Sequence, residues 1–194
     1  MSESPGLIEA LEPVARVLQA MEIKFYVGGS VASSFHGASR STMDVDLVAD
    51  LKTNHVDHFV SQLQNEYYAS KVAVHDAIAR HSCFNLIHLA SSFKVDIFIL
   101  KGRPFDINSM NRAKAGKIDL ERDFEFPIAS AEDTILSKLE WYRLGNEMSE
   151  RQWNDVTRVM KVLGDQADLE YLIQNAAELN VSDMLQKLLV SVGK

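Results

Sequence analysis

Cysteine is almost missing from this chain: Cys83 is the only one in 194 residues. That excludes a disulfide framework and any zinc site built from several thiols, and it points to a reducing compartment. Basic charge is short as well. Twenty lysines and arginines face 27 aspartates and glutamates, a net charge of −7, so the basic face that grips duplex nucleic acid regardless of sequence is not expected. A local basic pocket for a nucleotide is still compatible with that balance. No window is long and apolar enough for a membrane span, and the opening MSESPGLIEALEP carries no basic stretch. The expected location is the cytoplasm. The six histidines, at 36, 55, 58, 75, 81 and 88, show no HExxH or other ligand spacing. Ser33, Ser34 and Cys83 lack the partners of a nucleophilic triad. Internal repeats, low-complexity tracts and obvious linkers are absent too.

What remains is an ordinary globular composition, 46% apolar and 24% charged. A chain of this size folds as one domain with a helical extension and buries about 70% of its extended surface. One stretch organises it: YVGGSVASSFHGASRSTMDVDLV, from Tyr26 to Val48. It reads as a strand ending in Gly28-Gly29-Ser30, a short helix, a polar loop with Arg40 and Thr42, and a second strand. On that second strand the period of two puts Asp44 and Asp46 on one face and Val45 and Leu47 on the other. Two adjacent carboxylates need a counter-charge, and a divalent cation such as Mg²⁺ or Mn²⁺ is the simplest one for hard oxygen ligands. Gly28 and Gly29 let backbone amides approach a phosphate, and Arg40, four residues before Asp44, is close enough to reach one. No Gly-Lys-Ser/Thr follows and only one two-glycine turn is present, so P-loop and Rossmann readings fail on spacing.

GGS, about a dozen residues and then DxD on a strand together resemble the nucleotidyltransferase superfamily with the polymerase-β-like core. Within it the chain looks most like the small bacterial proteins that include the toxin half of the abortive-infection AbiE systems. The resemblance implies that Gly28, Gly29 and Ser30, with Arg40 and Thr42, bind a nucleoside triphosphate. It also implies that Asp44 and Asp46 hold two metal ions and that a third carboxylate lies on a later strand. The candidate for that third acid is Asp96 in KVDIFIL, an aspartate costly to bury unless paired or metal-bound. Its strand places Lys94, Asp96 and Phe98 on one face and Val95, Ile97 and Ile99 on the other. AEDTILSKLEWYRLG resembles the downstream AbiE motif in which a lysine and an arginine close over the nucleotide, which implies roles for Lys138 and Arg143, with Asp155 as the matching aspartate. Either Trp141 or Trp153 could stack on a base. The implied reaction transfers a nucleoside monophosphate to an acceptor hydroxyl of a small molecule, an RNA end or a protein. The alternative is a nucleotide-binding or regulatory member of a toxin–antitoxin pair, with an antitoxin or a second copy of the chain as partner.

The expected fold is α/β: a mixed-sheet nucleotidyltransferase core over residues 1–126, flanked by helices, and a C-terminal helical bundle over 127–194. Pro13 should kink or restart the first helix near Glu12. Val56, Phe59, Val60 and Leu63 form one apolar helical stripe. Residues 67–74 read as a strand and 75–82 as a polar loop or single turn. Residues 84–89 and 93–100 read as a hairpin, 106–116 as a short helix and 117–120 as a small strand. Ser130 with Asp133, and Ser149 with Gln152, read as N-terminal boxes of two helices closed by Gly145 and Gly164. Two further helices follow, built on Leu169, Leu172, Ile173 and Ala176, then on Leu185, Leu188 and Leu189. A seam is expected over 126–130, where a proline precedes the helical block.

Overall fold

The computed structural model describes residues 5–39 and 41–194; Arg40, one of the expected phosphate contacts, lies outside the described residues. In chain order the elements are α1 (Pro5–Ala20), β1 (Phe25–Val27), α2 (Gly29–Phe35), β2 (Asp44–Ala49), α3 (Val56–Leu63), β3 (Tyr67–Tyr68), α4 (Lys71–Arg80), β4 (Cys83–His88) and β5 (Lys94–Ile99). They continue with α5 (Pro104–Arg112), β6 (Lys114–Gly116), β7 (Phe126–Ile128), α6 (Ala131–Leu144), α7 (Glu150–Leu163), α8 (Leu169–Glu178) and α9 (Ser182–Ser191). The strands make a seven-stranded mixed sheet in the order β3-β4-β5-β2-β1-β7-β6. β2 runs parallel to β5 and β1 parallel to β7, while the other neighbours are antiparallel.

Alternation along the strands decides which sheet face is covered. Val45, Leu47 and Ala49 of β2 and Val95, Ile97 and Ile99 of β5 are buried in one apolar cluster with α1 and α3. α1 contributes Leu7, Ile8, Leu11, Val14, Ala15 and Leu18, and α3 contributes the expected stripe of Val56, Phe59, Val60 and Leu63. Full burial of a large apolar side chain is worth about 1.5–3 kcal/mol. Several such side chains on both sides of Pro13 outweigh the ~3 kcal/mol cost of a proline inside a helix. α1 therefore runs as one helix from Pro5 to Ala20, and the expected restart near Glu12 does not occur. The other face of the sheet, carrying Asp44, Asp46, Asp96 and Phe98, is only partly covered. A second apolar cluster joins α6, α7, α8 and α9 through residues such as Leu136, Val159, Leu172 and Leu188, and it also takes in Ala38 and Phe105.

Local chemistry moved three expected boundaries. β3 ends at Tyr68, because Ser70 accepts a hydrogen bond from the Ala73 amide and opens α4, which runs through residues expected to be strand and loop. Pro104 at the first turn starts α5 ahead of the expected 106, and the small strand falls at Lys114–Gly116 instead of 117–120. Phe126–Ile128, placed at a seam by the sequence, is a strand paired between β1 and β6 inside the sheet. Ala129 belongs to the sheet cluster and Ala131 to the helical one. The Ser130 and Ser149 caps form as expected, each accepting from the amide three residues on. No helix among the described residues is long and apolar enough to cross a membrane.

Candidate active site

The parallel register of β2 and β5 sets the centre of the site. It pairs Asp46 with Asp96 and Asp44 with Lys94. Since side chains two apart share a face, both aspartates of DVD and the single aspartate of KVDIFI are gathered on one patch of sheet. Across β4, Asn85 pairs with Asp96 and its Nδ2 donates to Asp96 Oδ1. On the opposite side the Gly28 amide donates to the Asp46 carbonyl at 2.9 Å, which carries the pairing of β1 and β2 into the GGS turn.

At Gly29 the chain turns with φ +54°, and a Cβ built there would lie 2.5 Å from Asp46 Cγ and 2.8 Å from its Cβ. Only glycine combines that backbone with that approach. The Ser30 backbone N–H then donates to the Asp46 carboxylate, and Ser33 Oγ donates to the Gly29 carbonyl at 2.9 Å. Gly29→Ala is therefore expected to push the Asp46 carboxylate aside or open the turn. A loss of about a hundredfold or more in any catalysis that uses the Asp46 carboxylate should accompany ~1–3 kcal/mol of lost stability. Steady-state kinetics and urea denaturation read the two effects separately.

Burial above all, then the Asp96 carboxylate, pushes the Asp46 carboxyl above its ordinary range, with Asp44 adding to the shift; the Lys138 charge and the Ser30 amide pull it back. Negative charge is in excess at this point of the sheet. Among the described residues Lys94 makes the ion pairs of this patch: its Nζ lies 2.9 Å from Asp96 Oδ2 and 3.7 Å from Asp44 Oδ1. Its hydrogen bond to Asp96 is the main reason its pKa is held above the ordinary lysine value. A donor set of three carboxylates that already attracts a cation fits a divalent ion of the Mg²⁺ type. As the side chains stand, no three His, Cys, Asp or Glu among the described residues form a ready metal cluster.

A cavity of about 310 Å³ opens over the patch. Gly28, Gly29, Ser30, Thr42, Asp44, Asp46 and Asp96 line one end of it. Thr42 Oγ1 donates to the Asp44 carbonyl at 3.1 Å and tethers the loop that enters β2. The facing wall is one stripe of α6, with Thr134, Ser137, Lys138 and Trp141, joined by Arg151 and Gln152 of α7. Lys138 Nζ donates to Asp155 Oδ2 at 2.9 Å, and both residues are buried. Thr134 Oγ1 and Gln152 Oε1 are buried with no hydrogen-bond partner among the described residues, although both residues line the cavity. At the far end Trp141 meets Phe98 edge-on, with ring centroids 5.7 Å apart. Arg103 closes that end, bridging Asp106 at 2.7 Å and Glu140 at 2.5 Å.

Arg143 does not reach this cavity. It pairs with Asp183 at 2.5 Å and Glu147 at 3.4 Å on the outside of the helical block. It lies five positions after Lys138, a step of about 140° around a helix, so the two cannot face the same space. Trp153 packs against Tyr142 inside the helices, which leaves Trp141 as the indole open to the cavity. Cys83 is half-buried and burial pushes its thiol up to about 12, so it is not a nucleophile at neutral pH. The sequence reading missed Thr134, Ser137 and Gln152 in this wall. Their spacing to Lys138 and to Arg151 was the available signal.

No protein-family model matches the chain, and a search of curated proteins found no match. Solved structures do match over nearly the whole length. The antibiotic-resistance factor ANT(2'')-Ia is 8% identical and superposes with a TM-score of 0.59, covering 94% of this chain and 97% of that one. The chain has the nucleotidyltransferase fold. An antigenic nucleotidyltransferase-like protein from Paracoccidioides brasiliensis shares that fold at 15% identity and a TM-score of 0.54, with 94% of each chain covered. So does the lincosamide antibiotic adenylyltransferase LnuA, whose structure is lincomycin-bound, at 14% identity and a TM-score of 0.51 over 84% of this chain and 99% of that one.

Proposed function

We propose that the protein is a nucleotidyltransferase that moves a nucleoside monophosphate from a nucleoside triphosphate to an acceptor hydroxyl. The observation that carries this reading is the pairing of Asp46 with Asp96, beside Asp44 and under the Gly29-Ser30 turn, on the floor of a cavity. A pure binding module has no need of three carboxylates at one point of a sheet. Asp44 and Asp46, with Asp96 beside them, would hold Mg²⁺ or Mn²⁺, which supplies positive charge against the triphosphate during the transfer.

The chain's own residues do the rest. Gly28, Gly29 and Ser30 let the phosphates lie against the backbone. Lys138, fixed by Asp155, and Arg151 bring positive charge to the same oxygens from the helical wall. Thr134 Oγ1 can donate to them, while Gln152 Oε1, an acceptor, suits a hydroxyl or amino group of the nucleotide or the acceptor. The Trp141 and Phe98 rings give a flat apolar surface for a base or for the acceptor. The acceptor oxygen bonds to the α-phosphorus as the bond to the bridging oxygen breaks. Its proton passes to Asp96, and pyrophosphate leaves.

The meeting of Lys138 with Asp155 supports the narrower resemblance to the AbiE toxin group, while the outward Arg143 departs from it. Titration calorimetry of each nucleoside triphosphate with Mg²⁺ tests the proposal. Binding that needs the metal, and that the Asp44→Ala, Asp46→Ala double variant loses, is the expected result. A folded wild type that binds no triphosphate would overturn transfer in favour of a partner-binding, regulatory role.

A further inference from the structure

Resting on the same reading of the carboxylates, we propose that Lys94 is a resident cation of the site. Its ammonium takes the place between Asp44 and Asp96 that a second divalent ion would otherwise fill. The placement follows from backbone register. Lys94 is the β5 partner of Asp44, and Asp96, two residues on, is the partner of Asp46. Lys94 and Asp96 thus stand on the same face, with Asp44 directly across.

From there Nζ reaches Asp96 Oδ2 at 2.9 Å and Asp44 Oδ1 at 3.7 Å. An ammonium has three N–H donors and no acceptor, so a position between two carboxylates satisfies it as it satisfies them. Asn85 Nδ2 takes the other Asp96 oxygen. Each oxygen of the third acid therefore accepts one hydrogen bond from within the protein and keeps a lone pair for the proton of the acceptor hydroxyl. Asp46 is held differently: its carboxylate meets the Ser30 amide under Gly29. Asp44 and Asp46 remain able to share one divalent ion on the side facing the GGS turn. The lysine, a compact charge on a flexible stem, supplies the positive charge on the Asp96 side, where the acceptor hydroxyl would approach.

The consequence is a count: one divalent ion per chain instead of two. Mn²⁺ alone is the probe, titrated into the whole chain and followed by loss of the free-ion paramagnetic signal. The Asp44→Ala, Asp46→Ala double variant sets the background from scattered surface carboxylates. Above that background the wild type is expected to bind one Mn²⁺, the neutral variants Lys94→Met and Lys94→Gln two, and the charge-preserving Lys94→Arg one. Circular dichroism confirms that each variant is folded, and the two neutral variants guard against failure of either. Two ions already bound by the wild type, or an unchanged count in both neutral variants, would overturn the role of Lys94 and leave the metal-dependent reading standing. No ion above background in the wild type or in any Lys94 variant would overturn both.

Discussion

Replacing Asp46 with asparagine is expected to abolish the proposed nucleotidyl transfer and, in the metal-free protein, to raise the melting temperature. The first effect follows from its place at the centre of the site, paired with Asp96 and touching the GGS turn. Loss of a carboxylate that would hold the metal charge against the reacting phosphates costs at least about a thousandfold in rate. The second effect follows from burial and crowding. Desolvation, then the Asp96 carboxylate, hold the folded pKa of Asp46 above its unfolded value. The folded state therefore keeps its proton more tightly than the unfolded chain. What this group adds to stability is present below the ordinary carboxylate range and is lost as pH rises through the raised folded pKa.

At neutral pH the ionised carboxylate thus works against the fold. Asparagine has nearly the same shape, still accepts from the Ser30 amide and carries no charge. In a protein of this size each ~1 kcal/mol relieved appears as about 2–4 °C. Thermal melts with a chelator at pH 5 and pH 7.5 check the sign: the gain over wild type should be larger at the higher pH. A variant that melts below wild type at pH 7.5 would mean that the Lys138 charge and the Ser30 amide outweigh burial and crowding.

The sequence carried the elements of this site better than their meeting. Asp44, Asp46 and Asp96 were legible because a strand alternates, and a polar residue in an apolar run stands out on one face. That Asp46 lies beside Asp96 was not legible, since parallel pairing between strands fifty residues apart is decided by packing on α1 and α3 and by nothing local. Lys94 was on the same readable face as Asp96, yet its meaning depends on the register that brings Asp44 across from it. Residues 71–74 were misread as strand because Val72 and Val74 favour it locally, and 75–80 as a loop or single turn, whereas the Ser70 cap and the burial of Val74 and Ala77 favour one helix. In α6 the spacing already separated the candidates. Thr134, Lys138 and Trp141 share a face at steps of four and three, whereas Arg143 is on another.

The pair formed by Lys138 and Asp155 should give the largest change in stability. Both residues are buried, Asp155 at 2% exposure, and the 2.9 Å hydrogen bond ties α6 to α7 at the wall of the cavity. Asp155→Ala removes one partner and leaves a buried ammonium without its carboxylate, at a cost of ~3–5 kcal/mol. Lys138→Met takes the ammonium away from the buried aspartate. The double variant Lys138→Met, Asp155→Leu leaves neither charge unpaired and is expected to recover most of that loss, because replacing a buried ion pair with apolar groups of similar volume is often neutral. Function should not recover with it. Lys138 also helps to hold down the pKa of Asp46, so its removal weakens the site even where no phosphate contact is lost. Urea denaturation and triphosphate titration on the three variants separate the roles: stability should fall, fall and return, while affinity falls in all three. A double variant that binds triphosphate as tightly as wild type would reduce the pair to a staple between two helices and leave the phosphates to Arg151 and the GGS turn.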